Sequence, residues 1–372
     1  MLIDYLYNLF LAAPMPIKKV LYAIANKYFA LTNTYETPGF IIFFVTNRCN
    51  ADCEHCFYRA GRQQICELIS LGNIKKMAVS LVNKNKLLIT GGEPFTRPDI
   101  YEIAEAFFSQ GKTKKLQIAT NGFFTDRIID FCTRAQKKNW PLTIQISLDY
   151  LGAEHDSFRR LPGIFDRAIN TISKIQDLKK EYPKLRLAVL ATLTKDNVGK
   201  IEEVKKYLAD KTGANLGFAI VRDPRFGIHN VPPDMREELT ELAQKHILPE
   251  QKELEKVIFS EHKKVRRLQD DLSDLCKKIE MNIVFKGEKS NIKCLAGKRD
   301  CVIYPNGDVS ACEITKPFAN LADFDFNLHE LWQSEKAELT RKRIQCCYCN
   351  HPCHLSSAMQ AQAETLRLLA NL

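Results

Sequence analysis

An α/β fold, built as a partial, open barrel of parallel strands and followed by a cysteine-rich C-terminal section, is what the sequence predicts. Three observations carry the prediction. Apolar strand segments alternate with amphipathic helices six times between Gly39 and residue 225, the pattern of a parallel sheet flanked by helices. Six such steps fall short of the roughly eight of a closed barrel, so the sheet is expected to stay open. The 13 cysteines of the 372-residue chain bunch in two places, one just after the first strand and one toward the C-terminus. With 45% hydrophobic residues there is material for a large core, and the length favours a large domain plus a smaller one. The 16 glycines and 15 prolines exclude collagen and low-complexity disorder, and so long a chain is no disulfide-dense miniprotein. The net charge of +10 suits an anionic substrate, a membrane surface or nucleic acid alike, and selects none of them.

Residues 1–37 read as two short helical patterns interrupted by Pro14 and Pro16. Leu2, Leu6, Leu9, Phe10 and Ala13 share one face of the first; Ile17, Val20, Leu21, Ile24, Tyr28 and Phe29 share one face of the second. These helices either pack on the main domain or, with Lys18, Lys19 and Lys27, lie against a membrane surface. Residues 38–225 hold the barrel. Its strands are expected at Ile41–Val45, Lys86–Thr90, Lys115–Thr120, Leu142–Leu148, Leu185–Leu193 and Asn215–Val221. Its helices are expected at Gln63–Val82, Pro98–Gln110, Thr125–Lys138, Ile164–Lys180 and Gly199–Asp210. Residues 226–290 turn charged and helical, a connector with a solvated face. Residues 291–355 are short of periodic pattern apart from a hairpin at Pro305-Asn-Gly-Asp308, so bound metal is expected to hold them together. Residues 356–372 close the chain as a helix.

The cysteines carry more information than the charge. An odd number cannot pair completely, and closely spaced thiols in a long chain without a secretory signal read as metal ligands in a reducing compartment. No apolar run approaches the roughly 20 residues of a membrane span. The expected location is the cytoplasm.

Cys49-Asn-Ala-Asp-Cys53-Glu-His-Cys56 places three thiols within eight residues, directly after a strand. Thiolates from tight loops hold Fe–S clusters, and three of them leave one iron open for chemistry. A zinc site using His55, or a fourth cysteine from elsewhere, would use the same residues. The next strands end in Gly91-Gly92-Glu93-Pro94, Thr120-Asn121-Gly122 and Ser147-Leu148-Asp149. Two glycines let backbone approach a ligand closely. Hydroxyls, an amide and a carboxylate at the carboxyl ends of parallel strands suit the hydroxyls of a ribose.

In this order these residues resemble the radical S-adenosylmethionine (radical SAM) superfamily over about residues 38–225. Cys49, Cys53 and Cys56 match the family's C-x3-C-x2-C motif in full. The resemblance implies a partial (β/α)6 barrel of the radical SAM type. It also implies a 4Fe–4S cluster on those three cysteines, its fourth iron chelated by the amino and carboxylate groups of S-adenosylmethionine. His55 would lie near the adenine, and Gly91, Gly92 and Glu93 would hold the methionine amino group. Thr120, Asn121, Ser147 and Asp149 match the positions that meet ribose and carboxylate less sharply, and Thr192 and Asn197 stand near the adenine part. The stretch HDSFRRLPGIF, from His155 to Phe165, looks like the segment after the fourth strand in many members. The implied reaction is reductive cleavage of S-adenosylmethionine to a 5′-deoxyadenosyl radical, which takes hydrogen from a substrate C–H bond.

Cys294-x12-Gly307-x4-Cys312, followed by Cys346-x2-Cys349-x3-Cys353, resembles the SPASM or twitch extension of that superfamily, which holds auxiliary Fe–S clusters. Cys294-Leu-Ala-Gly297, Asn306-Gly-Asp308 and Leu331-Trp332 stand in the matching places, although the tail is shorter than the full SPASM pattern. At least one auxiliary 4Fe–4S cluster is expected on Cys294, Cys312, Cys349 and Cys353, with Cys346 as an alternate. His351 and His354 read as loop residues, and Cys66, Cys132 and Cys276 as buried thiols on helices. Members with this extension most often modify peptides or proteins, so a peptide or protein substrate is expected, with a reductant such as ferredoxin or flavodoxin. Only about 38 residues precede the first strand, too few for the leader-recognition domain of many peptide modifiers. The amphipathic front raises a lipid, sugar or other small molecule at the membrane surface as the alternative. A zinc or Fe–S protein without SAM chemistry is the reading from another class. No nucleic-acid partner is expected, and no residue is singled out as a catalytic acid or base.

Overall fold

The computed structural model describes residues 9–10, 13–32, 35–53, 55–59, 61, 66–110, 112–221, 249–259, 268–344 and 352–369. Six parallel strands come first: β1 (Phe40–Thr46), β2 (Asn85–Gly91), β3 (Thr113–Thr120), β4 (Leu142–Ser147), β5 (Leu185–Leu193) and β6 (Leu216–Ile220). They lie in the order β6-β5-β4-β3-β2-β1, each hydrogen-bonded in parallel to its neighbour in sequence. Strands added one after another in a single direction make a partial barrel, in line with the expected α/β class.

Residues of alternate parity face opposite ways on each strand. Ile41, Phe43, Leu87, Ile89, Leu116, Ile118, Ile144 and Ile146 are buried under the helices. The helices are α2 (Leu71–Val79), α3 (Ile100–Ser109), α4 (Thr125–Lys137), α5 (Gly152–Arg159), α6 (Ile164–Glu181) and α7 (Ile201–Thr212), after α1 (Met15–Thr32) at the front. Of the helix expected over Gln63–Val82, residues 63–65 lie outside the described residues, 66–70 are not helical, and α2 begins at Leu71. Ser70 stays extended and its hydroxyl accepts the Asn73 N–H, while Ile69 N–H bonds Pro305 C=O, so the residues before the cap are drawn out as a strut. Cys66, expected on that helix, therefore lies in the connecting segment and is half-buried. Cys132 and Cys276 are buried thiols, and burial pushes the Cys132 thiol well above its ordinary pKa.

The C-terminal section does not stand apart. Strands β7 (Asp300–Ile303), β8 (Asp308–Ser310) and β9 (Ala319–Asn320) continue the barrel sheet, and β7 pairs in parallel with β1 from Phe40↔Asp300 to Phe43↔Ile303. The expected hairpin is the antiparallel β7–β8 pair. Its partner could not be read from spacing, because the seam joins residues some 260 positions apart. Cys301 is a core thiol of β7, fully buried beside the barrel strands.

Helices α8 (Gln251–Phe259) and, further along the chain, α10 (Leu328–Gln333) add Leu254, Val257, Leu328, Leu331 and Trp332 to the barrel core. A second core gathers Phe10 and Ala25 of the front with α9 (Leu268–Lys286), which precedes α10, and with α12 (Pro352–Met359) and α13 (Glu364–Leu369), which follow α11 (Glu335–Ile344); its buried members include Leu275, Cys276, Leu355, Met359 and Leu366. Helix α9 also sends Met281 and Val284 into the barrel core. The apolar residues of α1 are split between two faces: Ala25, Leu21, Tyr22 and Phe29 pack inward, while Ile17, Val20, Ile24 and Tyr28 are exposed. The expected single apolar face is therefore two. Among the described residues no helix is long and apolar enough to cross a membrane.

Candidate active site at the carboxyl ends of the strands

The loop after β1 carries Cys49, Cys53 and Cys56. They share one apolar patch with Ala51, Ile164, Phe123 and Leu161. Cys49 Sγ accepts the Ala51 N–H at 3.4 Å, the acceptor role that a metal-bound thiolate plays. Two aromatic residues directly after Cys56 seat the loop. Tyr58 and Phe57 lie 4.6 and 6.4 Å from the Phe44 ring, on the inner face of the sheet with Tyr304. Among the described residues no three His, Cys, Asp or Glu side chains converge on a single ion.

Gly91, the last residue of β2, and Gly92 lie against the cysteine loop: a Cβ on Gly91 would stand 2.3 Å from Thr46 C=O, and one on Gly92 2.0 Å from Arg48 C=O. Gly92 N–H bonds Thr46 C=O and Glu93 N–H bonds Arg48 C=O, each at 2.8 Å. Glu93 is thereby buried, its Oε1 accepting from Thr120 Oγ1 (2.7 Å) and Phe95 N–H (3.1 Å), its Oε2 from Asn121 N–H (2.7 Å). Burial raises its pKa, against the pull of these donors and of Arg159. Asn121 also donates to Asn50 Oδ1 at 2.8 Å, so strand ends β2 and β3 and the cysteine loop form one braced unit.

Asp149 lies beyond β4 and is fully buried. Its Oδ2 accepts from Arg159 Nε (3.0 Å) and Nη2 (2.5 Å), its Oδ1 from Thr192 N–H (2.8 Å). Burial alone would raise its pKa, but Arg159, then His55 and His155, bring it below the ordinary carboxylate value. Asp149 is thus spent on protein partners. Asn197 likewise braces its own loop, donating to Thr192 C=O and accepting the Thr194 N–H, both at 2.8 Å. Ser147, half-buried at the end of β4, pairs in register with Leu190. The His55 ring stacks on Phe158 at 4.4 Å and 11°, and Phe158 meets Tyr150 edge-on at 4.9 Å.

Arg159, Asn50 and Phe158 were not singled out by sequence. Arg159 was visible only as one basic residue in HDSFRR; its role depends on a buried carboxylate ten residues earlier. His155, on α5, accepts the Asp149 N–H through Nδ1, and burial, then Arg159, lowers its pKa to about 3.

In the second cysteine section, Cys294 and Cys312 share a patch with Ala296, Ala311, Ile314 and Ile344. Cys294 Sγ accepts the Ala296 N–H at 3.4 Å, repeating the arrangement at Cys49 and Ala51. Burial, then Cys294, pushes the Cys312 thiol up to about 12. Cys346 and Cys349, with the side chain of Cys353, lie outside the described residues. His354 is a buried residue of α12 rather than of a loop. Its Nδ1 meets Asp300 Oδ2 at 3.1 Å, and Ser357 Oγ donates to Asp300 Oδ1 at 2.7 Å.

Comparison with known proteins agrees with this geometry. Residues 43–208 match the radical SAM superfamily model, and residues 294–354 match SPASM, an iron–sulfur cluster-binding domain. The chain is 26% identical to the antilisterial bacteriocin subtilosin biosynthesis protein AlbA of Bacillus subtilis over 82% of its own length, and spans 63% of that protein. It is 27% identical to the AdoMet-dependent heme synthase of Methanosarcina barkeri, over 84% of this chain and 86% of that one. The fold resembles that of Streptococcus suis SuiB bound to its precursor peptide SuiA, with a TM-score of 0.55 at 17% identity, covering 83% of this chain and 67% of SuiB. The cysteine loop, the braced strand ends and the two matched domains lead to one statement: the chain belongs to the radical SAM superfamily and carries a SPASM iron–sulfur domain.

Proposed function

We propose that the protein is a radical S-adenosylmethionine enzyme that modifies a peptide or protein at a C–H bond. The observation that carries the proposal is the braced unit in which three thiols, a buried carboxylate and the polar ends of β3 and β4 meet on one rim. Cys49, Cys53 and Cys56 would hold a 4Fe–4S cluster, and the N–H···S bond that Cys49 accepts fits it. Cys294 and Cys312, with Cys346, Cys349 and Cys353, would hold at least one auxiliary cluster. Bound together, cluster and S-adenosylmethionine supply one-electron cleavage of the sulfonium and hydrogen abstraction from the substrate.

The chain's own residues supply binding and position. Gly91 and Gly92 admit the close loop contact that fixes Glu93. The buried Glu93 carboxylate offers its charge to the methionine ammonium. Thr120, Asn121 and Ser147 face the ribose and carboxylate, Asp149 positions its neighbours, and the His55–Phe158 pair offers an aromatic edge to the adenine. A reductant such as ferredoxin or flavodoxin would deliver the electron.

A second reading, a small molecule such as a tetrapyrrole, is favoured by the 27% identity to the AdoMet-dependent heme synthase over 84% of this chain. A peripheral membrane contact is favoured by α1, where Ile17, Val20, Ile24 and Tyr28 are exposed beside Lys27.

Deuterated candidate substrates test the class directly: deuterium should appear in 5′-deoxyadenosine from a peptide and not from a tetrapyrrole. The reverse pattern would replace the peptide reading with the small-molecule one. Iron and sulfide counting after anaerobic reconstitution separates both from a zinc protein.

A further inference from the structure

We infer that Arg159 is a positioning residue that raises the reduction potential of the cluster held by Cys53, through an N–H···S contact whose geometry Asp149 fixes. The inference rests on the proposal that Cys49, Cys53 and Cys56 hold a cluster. Arg159 is the last residue of α5 and is 6% exposed. Its Nη1 lies 3.8 Å from Cys53 Sγ. Its Nε and Nη2 are both taken by Asp149 Oδ2, which leaves Nη1 aimed at the sulfur. Asp149 cannot swing away, because Thr192 N–H holds its other oxygen at 2.8 Å. The backbone is fixed as well: Arg159 C=O accepts the Asp52 N–H at 3.1 Å, within the cysteine loop.

The adjacent arginine shows the contrast. Arg160 is exposed and shares the Asp52 carboxylate with Arg59, at 3.4 and 2.6 Å. Such solvated pairs contribute little to a neighbouring potential. Arg159 works in a dry site, where a charge-assisted donor acts at close to full strength. A hydrogen bond donated to a cluster sulfur withdraws electron density and favours the reduced state, so hydrogen bonds to the sulfurs set Fe–S potentials. A purely structural Arg159 would neutralise Asp149 and leave the potential alone.

The test is an EPR-monitored redox titration of the reconstituted full-length protein without S-adenosylmethionine. The signal followed is the one that disappears when Cys49, Cys53 and Cys56 are all changed to Ala. Arg159→Gln should move its midpoint to more negative potential, Arg159→Lys by less, and the charge-neutral double variant Asp149→Asn/Arg159→Gln still in the same direction. Should Arg159→Gln fail to load its cluster, the double variant Asp149→Asn/Arg159→Gln replaces the ion pair with a neutral hydrogen-bonded one and serves in its place. An unchanged midpoint in a loaded variant, with normal iron content, would overturn the inference alone. A triple cysteine variant that keeps every signal would overturn the cluster assignment and the inference with it.

Discussion

His155 and His354 are buried histidines whose pKa values move in opposite directions. His155, lowered to about 3 by burial and Arg159, stays neutral when folded. Its contribution to stability is present above its unfolded pKa, about 6.5, and is lost as pH falls from there toward 3. The wild type should therefore lose about 2 kcal/mol more stability between pH 7.5 and 5 than His155→Asn, by urea unfolding. Equal losses in the two proteins would show that His155 does not carry the acid sensitivity. For His354, burial opposes the charge, but Asp300, Glu313 and Cys294 raise the pKa overall. Its contribution is present at low pH and fades as pH rises through the folded value.

At the scale of elements, the seat of the site is the contact between the loop after β1 and the turn after β2. A methyl group on Gly92 would meet Arg48 C=O, a backbone atom that cannot turn aside. Gly92→Ala should cut the EPR signal that depends on Cys49, Cys53 and Cys56 to a small fraction of wild type while the barrel, read by circular dichroism, stays folded; a full signal would contradict the role given to this contact. The strands, the cysteine loop and the polar strand ends were readable because each is a local pattern. Cys49 to Cys56 sit within one loop, and Gly91–Glu93 and Thr120–Asn121 punctuate strand ends. The partners were not readable. Nothing in the spacing says that Gly91 and Gly92 approach Thr46 and Arg48, that Asp149 holds Arg159, or that β7 pairs with β1, since each joins residues through the fold. Helix α1 shows the same limit: its periodicity announced apolar residues, but only the second core decides which of them turn inward.

At the scale of the molecule, the described strands form a single sheet running from β6 to β9, with cysteines at its rim and in the C-terminal section that continues it. The seam between β1 and β7 ties the two cysteine sections to one scaffold, so their separation is fixed by the sheet rather than by a linker. The exposed stripe on α1 makes a separate prediction: the full-length protein should float with anionic liposomes, and a form lacking residues 1–37 should not. If neither floats, the membrane contact is wrong. The central claim, that the loop after β1 makes this chain a S-adenosylmethionine-cleaving enzyme, meets its most direct test in 5′-deoxyadenosine release from the reconstituted protein with dithionite and S-adenosylmethionine. Release by the wild type, and its loss when Cys49, Cys53 and Cys56 become Ala, is the predicted result; no release from a fully loaded protein, or release that survives those substitutions, would contradict it.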